Sequence, residues 1–190
     1  MAKEKKQSGK SSGAAPAATK SKEGAKADRT AELIKRAEAF LDGKATVAEL
    51  MGLTMEQVYS LAHVGHNLLQ EGNFDDALKV CRALVSINPK DPYLHLLLGS
   101  ALQQSGKKDD AIKSYTAAIE GDPGLVEAYA NRGEIYVEKG EIKRAIADLQ
   151  KAAELDPKDQ NPSTLRARAI LAVIIQKAEE QAQAGKKGKK

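Results

Sequence analysis

Three prolines stand 34 residues apart, and that interval constrains the fold more than any other feature of this chain. Pro89, Pro123 and Pro157 follow Ile87-Asn88, Gly121-Asp122 and Leu155-Asp156. The same step separates Gly65, Gly99 and Gly133, then Gly72, Gly106 and Gly140, then Ala77, Ala111 and Ala145. A period of this length, with apolar residues at helical spacing inside it, describes a two-helix unit copied three times. The first glycine series and the alanines are small where the paired helices must approach to about 8–10 Å. The second glycine series closes the first helix of each unit with a left-handed cap, and the proline opens the next unit. The units are expected over 58–91, 92–125 and 126–159.

Further helices flank the repeats. From Asp28 to Asp42, helical spacing puts Leu33, Ile34, Ala37, Phe40 and Leu41 on one face, with Gly43 as cap. Thr46 with Glu49 forms a capping box for a short second helix that Gly52 ends; Val47, Leu50 and Met51 are the residues it can bury. After Pro162, a last helix over about 163–183 is expected to turn Leu165, Ala169, Ala172, Val173 and Ile175 inward. It would cap the array, because a solenoid must cover its final apolar face. The resulting plan is an all-α fold: a Lys-rich disordered tail (1–27), an N-terminal helical region (28–57), three repeats (58–159), a capping helix (160–183) and a second disordered tail (184–190).

Charge narrows the function. The net charge of +4 hides a contrast, since residues 1–30 carry +5 and the last seven +4, which leaves −5 for 31–183. The body is acidic, which argues against a nucleic-acid-binding domain; binding through the tails alone would be weak and salt-sensitive. With aromatics at 4% and no Trp, the core is expected to be Leu, Ile, Val and Ala. A single cysteine, Cys81, excludes an internal disulfide and is expected to be a buried, inert thiol. The longest apolar run, Ala169 to Ile175, is far short of the roughly 20 residues that span a bilayer. No apolar stretch follows the positive N-terminus, so a cytoplasmic protein without membrane insertion is expected. No phosphate-cradling loop, HExxH, CxxC or serine elbow is present, so neither an enzyme nor a cofactor is expected. His63 and His66 lie three apart, but nothing completes four ligands, so no metal is expected.

The Gly…Ala…Pro skeleton resembles the tetratricopeptide repeat. That resemblance implies a right-handed superhelix whose concave wall is lined by the first helix of each unit. Leu61 and His95 stand where a Trp is usual, and His95 is expected to be a packing residue. Carried over by position, the wall includes Tyr59, Ala62, His63 and His66 in the first unit, Tyr93, Leu96, Leu97, Ser100 and Gln103 in the second, and Glu127, Ala130, Asn131 and Glu134 in the third. Aromatic and aliphatic groups with amides and imidazoles between them suit an extended peptide with apolar anchors. The repeat domains that clamp acidic chaperone C-termini need Lys and Asn in the first repeat, Asn in the second, and Lys and Arg in the third. The matching positions here are Ala62 and His66, Leu97, and Glu127 and Asn131, so every cation is missing and a carboxylate ligand is excluded.

The stretch Phe40 to Leu50, followed by Thr54-Met-Glu-Gln-Val-Tyr-Ser-Leu-Ala62 and Gly72-Asn-Phe-Asp-Asp-Ala-Leu-Lys-Val80, resembles the SycD/LcrH family, the class II chaperones of bacterial type III secretion. The resemblance covers about residues 33–160 and implies a non-catalytic chaperone that masks an extended segment of a hydrophobic translocator. It implies peptide contacts from Tyr59, His63, His66, Tyr93, Leu96, Leu97, Ser100, Gln103 and Asn131, and a homodimer through residues 33–51. A general tetratricopeptide scaffold in an unrelated assembly is the alternative reading. The Lys-rich ends and the near-consensus third repeat depart from the family pattern.

Overall fold

The structure, a computed structural model, describes residues 17–187. Among them are nine helices and no strand: α1 (Ala17–Leu41), α2 (Val47–Leu50), α3 (Met55–Gln70), α4 (Phe74–Ile87), α5 (Pro92–Gln104), α6 (Lys108–Gly121), α7 (Val126–Glu138), α8 (Ile142–Leu155) and α9 (Pro162–Lys187). The chain divides into two units, one ending at Ala45 and one beginning at Thr46.

The first unit is α1 and its C-terminal turn, where Gly43 takes φ +71°. Helix begins at Ala17 instead of near Asp28. The added turns are rich in Ala and Lys, which favour helix without any apolar face to bury. Apolar spacing therefore could not reveal them. The tail expectation for residues 1–16 and 188–190 lies outside the described residues; over 184–187 the backbone continues α9.

In the second unit, the capping box of Thr46 forms as expected: Glu49 N–H donates to Thr46 Oγ1 at 3.3 Å, and Thr46 N–H donates to Glu49 Oε2 at 2.6 Å. Ala48 is the residue that α2 buries, whereas Met51 is exposed. Thr54 and Gln57 cap α3 in the same way. Pro92 opens α5, where Asp91 caps the free Tyr93 and Leu94 amides.

The hairpins α3–α4, α5–α6 and α7–α8 share one turn. Gly72, Gly106 and Gly140 sit at φ +77°, +74° and +74°, conformations an L side chain resists. The residue after each glycine donates back to the last turn, Asn73 to Leu68, Lys107 to Leu102 and Glu141 to Tyr136, at 2.8–2.9 Å. That bond marks the Schellman motif. Within a hairpin the other glycine faces a residue 16 further on. A Cβ on Gly99 would meet the Tyr115 ring at 2.6 Å, and one on Gly133 would meet Leu149 at 2.8 Å; at Gly65 the nearest atoms are Cys81 Sγ and Val80 Cγ1, both at 3.4 Å.

The core is not purely aliphatic. Tyr115 is its largest fully buried side chain, and Tyr136 is buried too. Helix α7 joins the two halves of the array: Ala128 and Ile135 pack with the first two repeats, Ala130 and Tyr136 with α8 and α9. Between the second and third repeats, Arg132 donates to both Asp148 oxygens (2.7 and 2.9 Å) and to Thr116 Oγ1 (2.8 Å). His95 is half-buried, its Nε2 2.9 Å from Pro89 O. Cys81 is buried, and burial pushes its thiol up to about 11.

The expected face of α9 is reversed. Ser163, Thr164 and Ala167 are buried, and Ile170, Leu171 and Ile174 pack on the array. Leu165, Ala169, Ala172, Val173 and Ile175 are exposed. Both faces are apolar at helical spacing, so periodicity alone could not choose between them; the small Ala167 lets α9 approach.

The glycine contacts give opposite expectations for two substitutions. Gly99→Ala should destabilise the array by about 1–3 kcal/mol, because the Tyr115 ring must move. Gly65→Ala should stabilise it by roughly 0.5–1 kcal/mol, because space exists and the helix loses an entropic penalty. Urea midpoints followed by circular dichroism measure both; equal losses would mean that the two hairpins are packed alike.

A concave candidate peptide-binding groove

Because the units repeat without a slip, equivalent first-helix residues form strips across the array. Tyr59, Tyr93, Glu127 and Asn161 make one. The Tyr59 and Tyr93 rings meet edge to face with centroids 5.8 Å apart, and Tyr59 Oη donates to Asp91 Oδ2 at 2.8 Å. That hydrogen bond, followed by burial and the Asp91 charge, raises the Tyr59 phenol above its ordinary value. Each ring keeps 40% exposure, a large apolar area held in a fixed pose. Farther along the strip, Asn161 Nδ2 donates to Glu127 Oε1 at 2.6 Å.

Deeper in the wall lies a hollow of about 290 Å³. Five residues expected at the site border it: His66, Leu97, Ser100, Gln103 and Asn131. Leu97 is almost wholly buried and serves as its apolar floor. Tyr59 and Tyr93 form the separate aromatic pair, His63 is exposed on α3, and Leu96 is half-buried against the core. Ala62 and Ala130 belong to the core and not to the wall, because only small residues fit where the helices cross.

Glu134, expected on the wall, also borders the hollow, whereas sequence reasoning left Tyr115 and Arg166 out. Tyr115 comes from α6, its ring passing over Gly99 and its hydroxyl reaching the hollow. Its Oη donates to Gln103 Oε1 at 2.7 Å and lies 3.3 Å from Ser100 Oγ. Burial pushes this phenol up to about 12, so it remains a neutral donor. Arg166 comes from α9, one repeat step beyond Arg132. Its Nη2 donates to Asn131 Oδ1 at 3.0 Å, and its Nε stands 3.1 Å from Glu134 Oε1. That oxygen is buried and the ion pair is poorly aligned for a hydrogen bond. The 34-residue step from Arg132 was the signal for Arg166; nothing in the spacing told that it pairs across the hollow.

The groove is thus aromatic and aliphatic over the first two repeats and a polar network over the third. It presents Tyr, Gln, Asn and His groups that can bond a peptide backbone, with apolar pockets between them. Among the described residues, no three His, Cys, Asp or Glu come together as a metal site. None of their helices is long and apolar enough to cross a membrane.

Glu134 gives a pH expectation. Burial raises its carboxyl above the usual value, and Arg166 only partly opposes this. Well below the ordinary glutamate value of about 4.3, the group is protonated whether the chain is folded or not, so Glu134→Gln should match the parent in stability. As pH rises toward 7 the parent must ionise a buried group and should lose stability relative to the variant. Thermal melts at several pH values test this; a Glu134→Gln chain less stable at pH 7 would show that the Arg166 pair outweighs burial.

The tetratricopeptide repeat family models match residues 68–114 and 96–160. The low calcium response locus protein H of Yersinia pestis is 34% identical over 147 residues, 75% of this chain and 86% of that protein. The Yersinia enterocolitica type III secretion translocator chaperone SycD superposes with TM-score 0.61 at 28% identity, covering 68% of this chain and 98% of SycD. SycD in complex with a peptide of the translocator YopD gives 0.58 at 28% identity, covering 65% and 95%. With tetratricopeptide repeats over its body and a relative at that identity and coverage, the chain belongs to the SycD/LcrH family of tetratricopeptide proteins.

Proposed function

We propose that this protein is a non-catalytic secretion chaperone, which holds an extended apolar segment of a hydrophobic type III translocator in its concave groove. The observation that carries the proposal is the groove itself, with two fixed tyrosine rings beside a hollow floored by Leu97 and walled by amides and hydroxyls. A translocator must enter a bilayer later, so its apolar segments aggregate in water unless covered. Covering them needs apolar area and backbone hydrogen bonds, and the groove offers both without a reactive group. The family relatives hold translocator segments, which supports the same reading. The work would be done in the cytoplasm, before export.

Each residue takes a role by its place. Tyr59 and Tyr93 would anchor one apolar side chain, with His63 and Leu96 beside them. Leu97 would floor a second pocket, and His66, Ser100, Gln103 and Asn131 would bond the peptide backbone. The α1 face would serve a homodimer through residues 33–51: Leu33, Ile34 and Phe40 are exposed and Leu41 is 82% exposed.

A groove that must both hold and release suits micromolar affinity, about −8 kcal/mol. Tyr93→Ala combined with His66→Ala should weaken binding of a fluorescent translocator segment by roughly 2 kcal/mol, about 30-fold, with helicity unchanged because both side chains are exposed. Co-expression supplies the companion result: the translocator should become soluble only with the chaperone. A translocator that stays insoluble in both cases would favour a general scaffold instead.

A further inference from the structure

The strip that crosses the groove changes character along its length: Tyr59 and Tyr93 are aromatic, Glu127 is an acid and Asn161 an amide. Two other carboxylates stand on the same wall, and both are engaged. Asp91 accepts the Tyr93 and Leu94 amides at 2.9 and 3.2 Å and the Tyr59 hydroxyl at 2.8 Å. Glu134 has the Arg166 guanidinium 3.1 Å away. Glu127 differs from both. It is half-buried, and its Oε1 accepts the neutral Asn161 amide at 2.6 Å. Among the described residues no cation pairs with it, and its Oε2 has no bonding partner. An acid in the first turn suits the dipole of α7, but that role leaves Oε2 open to a ligand. Nor can the neighbouring helices supply a counter-ion. α3 and α5 contain no Lys or Arg, and the single one in α7, Arg132, is bound to Asp148 and Thr116. The wall therefore carries uncompensated negative charge at one point, beside its aromatic pair.

We infer that the client segment carries a Lys or Arg that seats on Glu127, at a set distance from its apolar anchor. This rests on the groove reading above and adds a charge requirement to it. Adjacent helices lie about 10 Å apart and an extended chain rises about 3.3 Å per residue, so a chain anchored on the tyrosine pair reaches Glu127 about three residues later. The stem of the cation lies over the exposed Tyr93 ring, which favours both methylenes and positive charge, while its head meets the carboxylate. Because the wall shields one side of Glu127 from water, this pair is stronger than one on an open surface. An acid in that place is repelled, and an apolar residue covers the carboxylate without a partner. Glu127 thus sets register and specificity. Apolar residues abound in any unfolded chain, whereas an apolar residue with a cation at this interval is a narrower signal.

A phage-displayed peptide library, with one Leu fixed between randomised stretches, is selected on the full chain. Recovered sequences should be enriched in Lys or Arg about two to four residues from the Leu, on one side of it. Selection on the Glu127→Lys chain should replace that preference by Asp or Glu. If Glu127→Lys loses helicity, Glu127→Gln is the second variant: its amide oxygen still accepts from Asn161, and the preference for a cation should vanish. In fluorescence anisotropy, changing the cation of the best recovered peptide to Gln should weaken binding to the parent about tenfold, and to Glu127→Gln less than about threefold. High salt should narrow the difference. Apolar peptides recovered without a charge preference, or with the same preference on parent and variants, overturn this inference and leave the groove reading standing. Recovery of no peptide at all overturns both.

Discussion

The whole array depends on how closely two helices of one hairpin can approach. Gly99 gives its space to the ring of Tyr115, and Gly133 gives its space to Leu149. Because the approach is close, the first helices can stand side by side and show an unbroken wall. The turn glycines fix the hairpin angle, and the proline step fixes the distance to the next hairpin. With those settled three times in register, the positions of the wall residues follow.

The same contact joins fold to function. Tyr115 is at once the largest buried side chain of the core and a hydroxyl donor in the floor of the hollow. Arg132 and Arg166 occupy equivalent repeat positions but serve different ends. Arg132 ties the second repeat to the third through Asp148 and Thr116, while Arg166 reaches across the hollow to Asn131 and Glu134. The capping helix therefore completes the site as well as the stack. What emerges is a groove that is greasy at one end and hydrogen-bonding at the other, a surface for a chain held extended.

Much of this was legible in the residues. The glycine, alanine and proline series set out the hairpins, and Thr46 with Glu49 announced its helix start, because each depends on local geometry that a short string encodes. Five expected groove residues meet in one hollow for the same reason: a strict repeat carries position into space. The rest depended on tertiary packing. Ala62 and Ala130 went to the core, since helix crossing reserves those places for small side chains. α9 turned its other apolar face inward, because two stripes of similar strength differ only in which one admits close contact. α1 extended back to Ala17 on helix propensity alone, which apolar spacing does not register. The SycD/LcrH likeness of residues 33–160 supplied the functional reading, and the relatives agree with it over the body of the chain.

The central claim is that the first helices, and not the second, receive an extended apolar guest. Amide chemical-shift mapping of the labelled protein, with and without a peptide from a hydrophobic translocator, tests it most directly. Perturbations concentrated on α3, α5 and α7, with the Tyr115 and Arg166 signals moving alongside, are the expected result. Shifts confined to α4, α6 and α8, or no shift at saturating peptide, would contradict it.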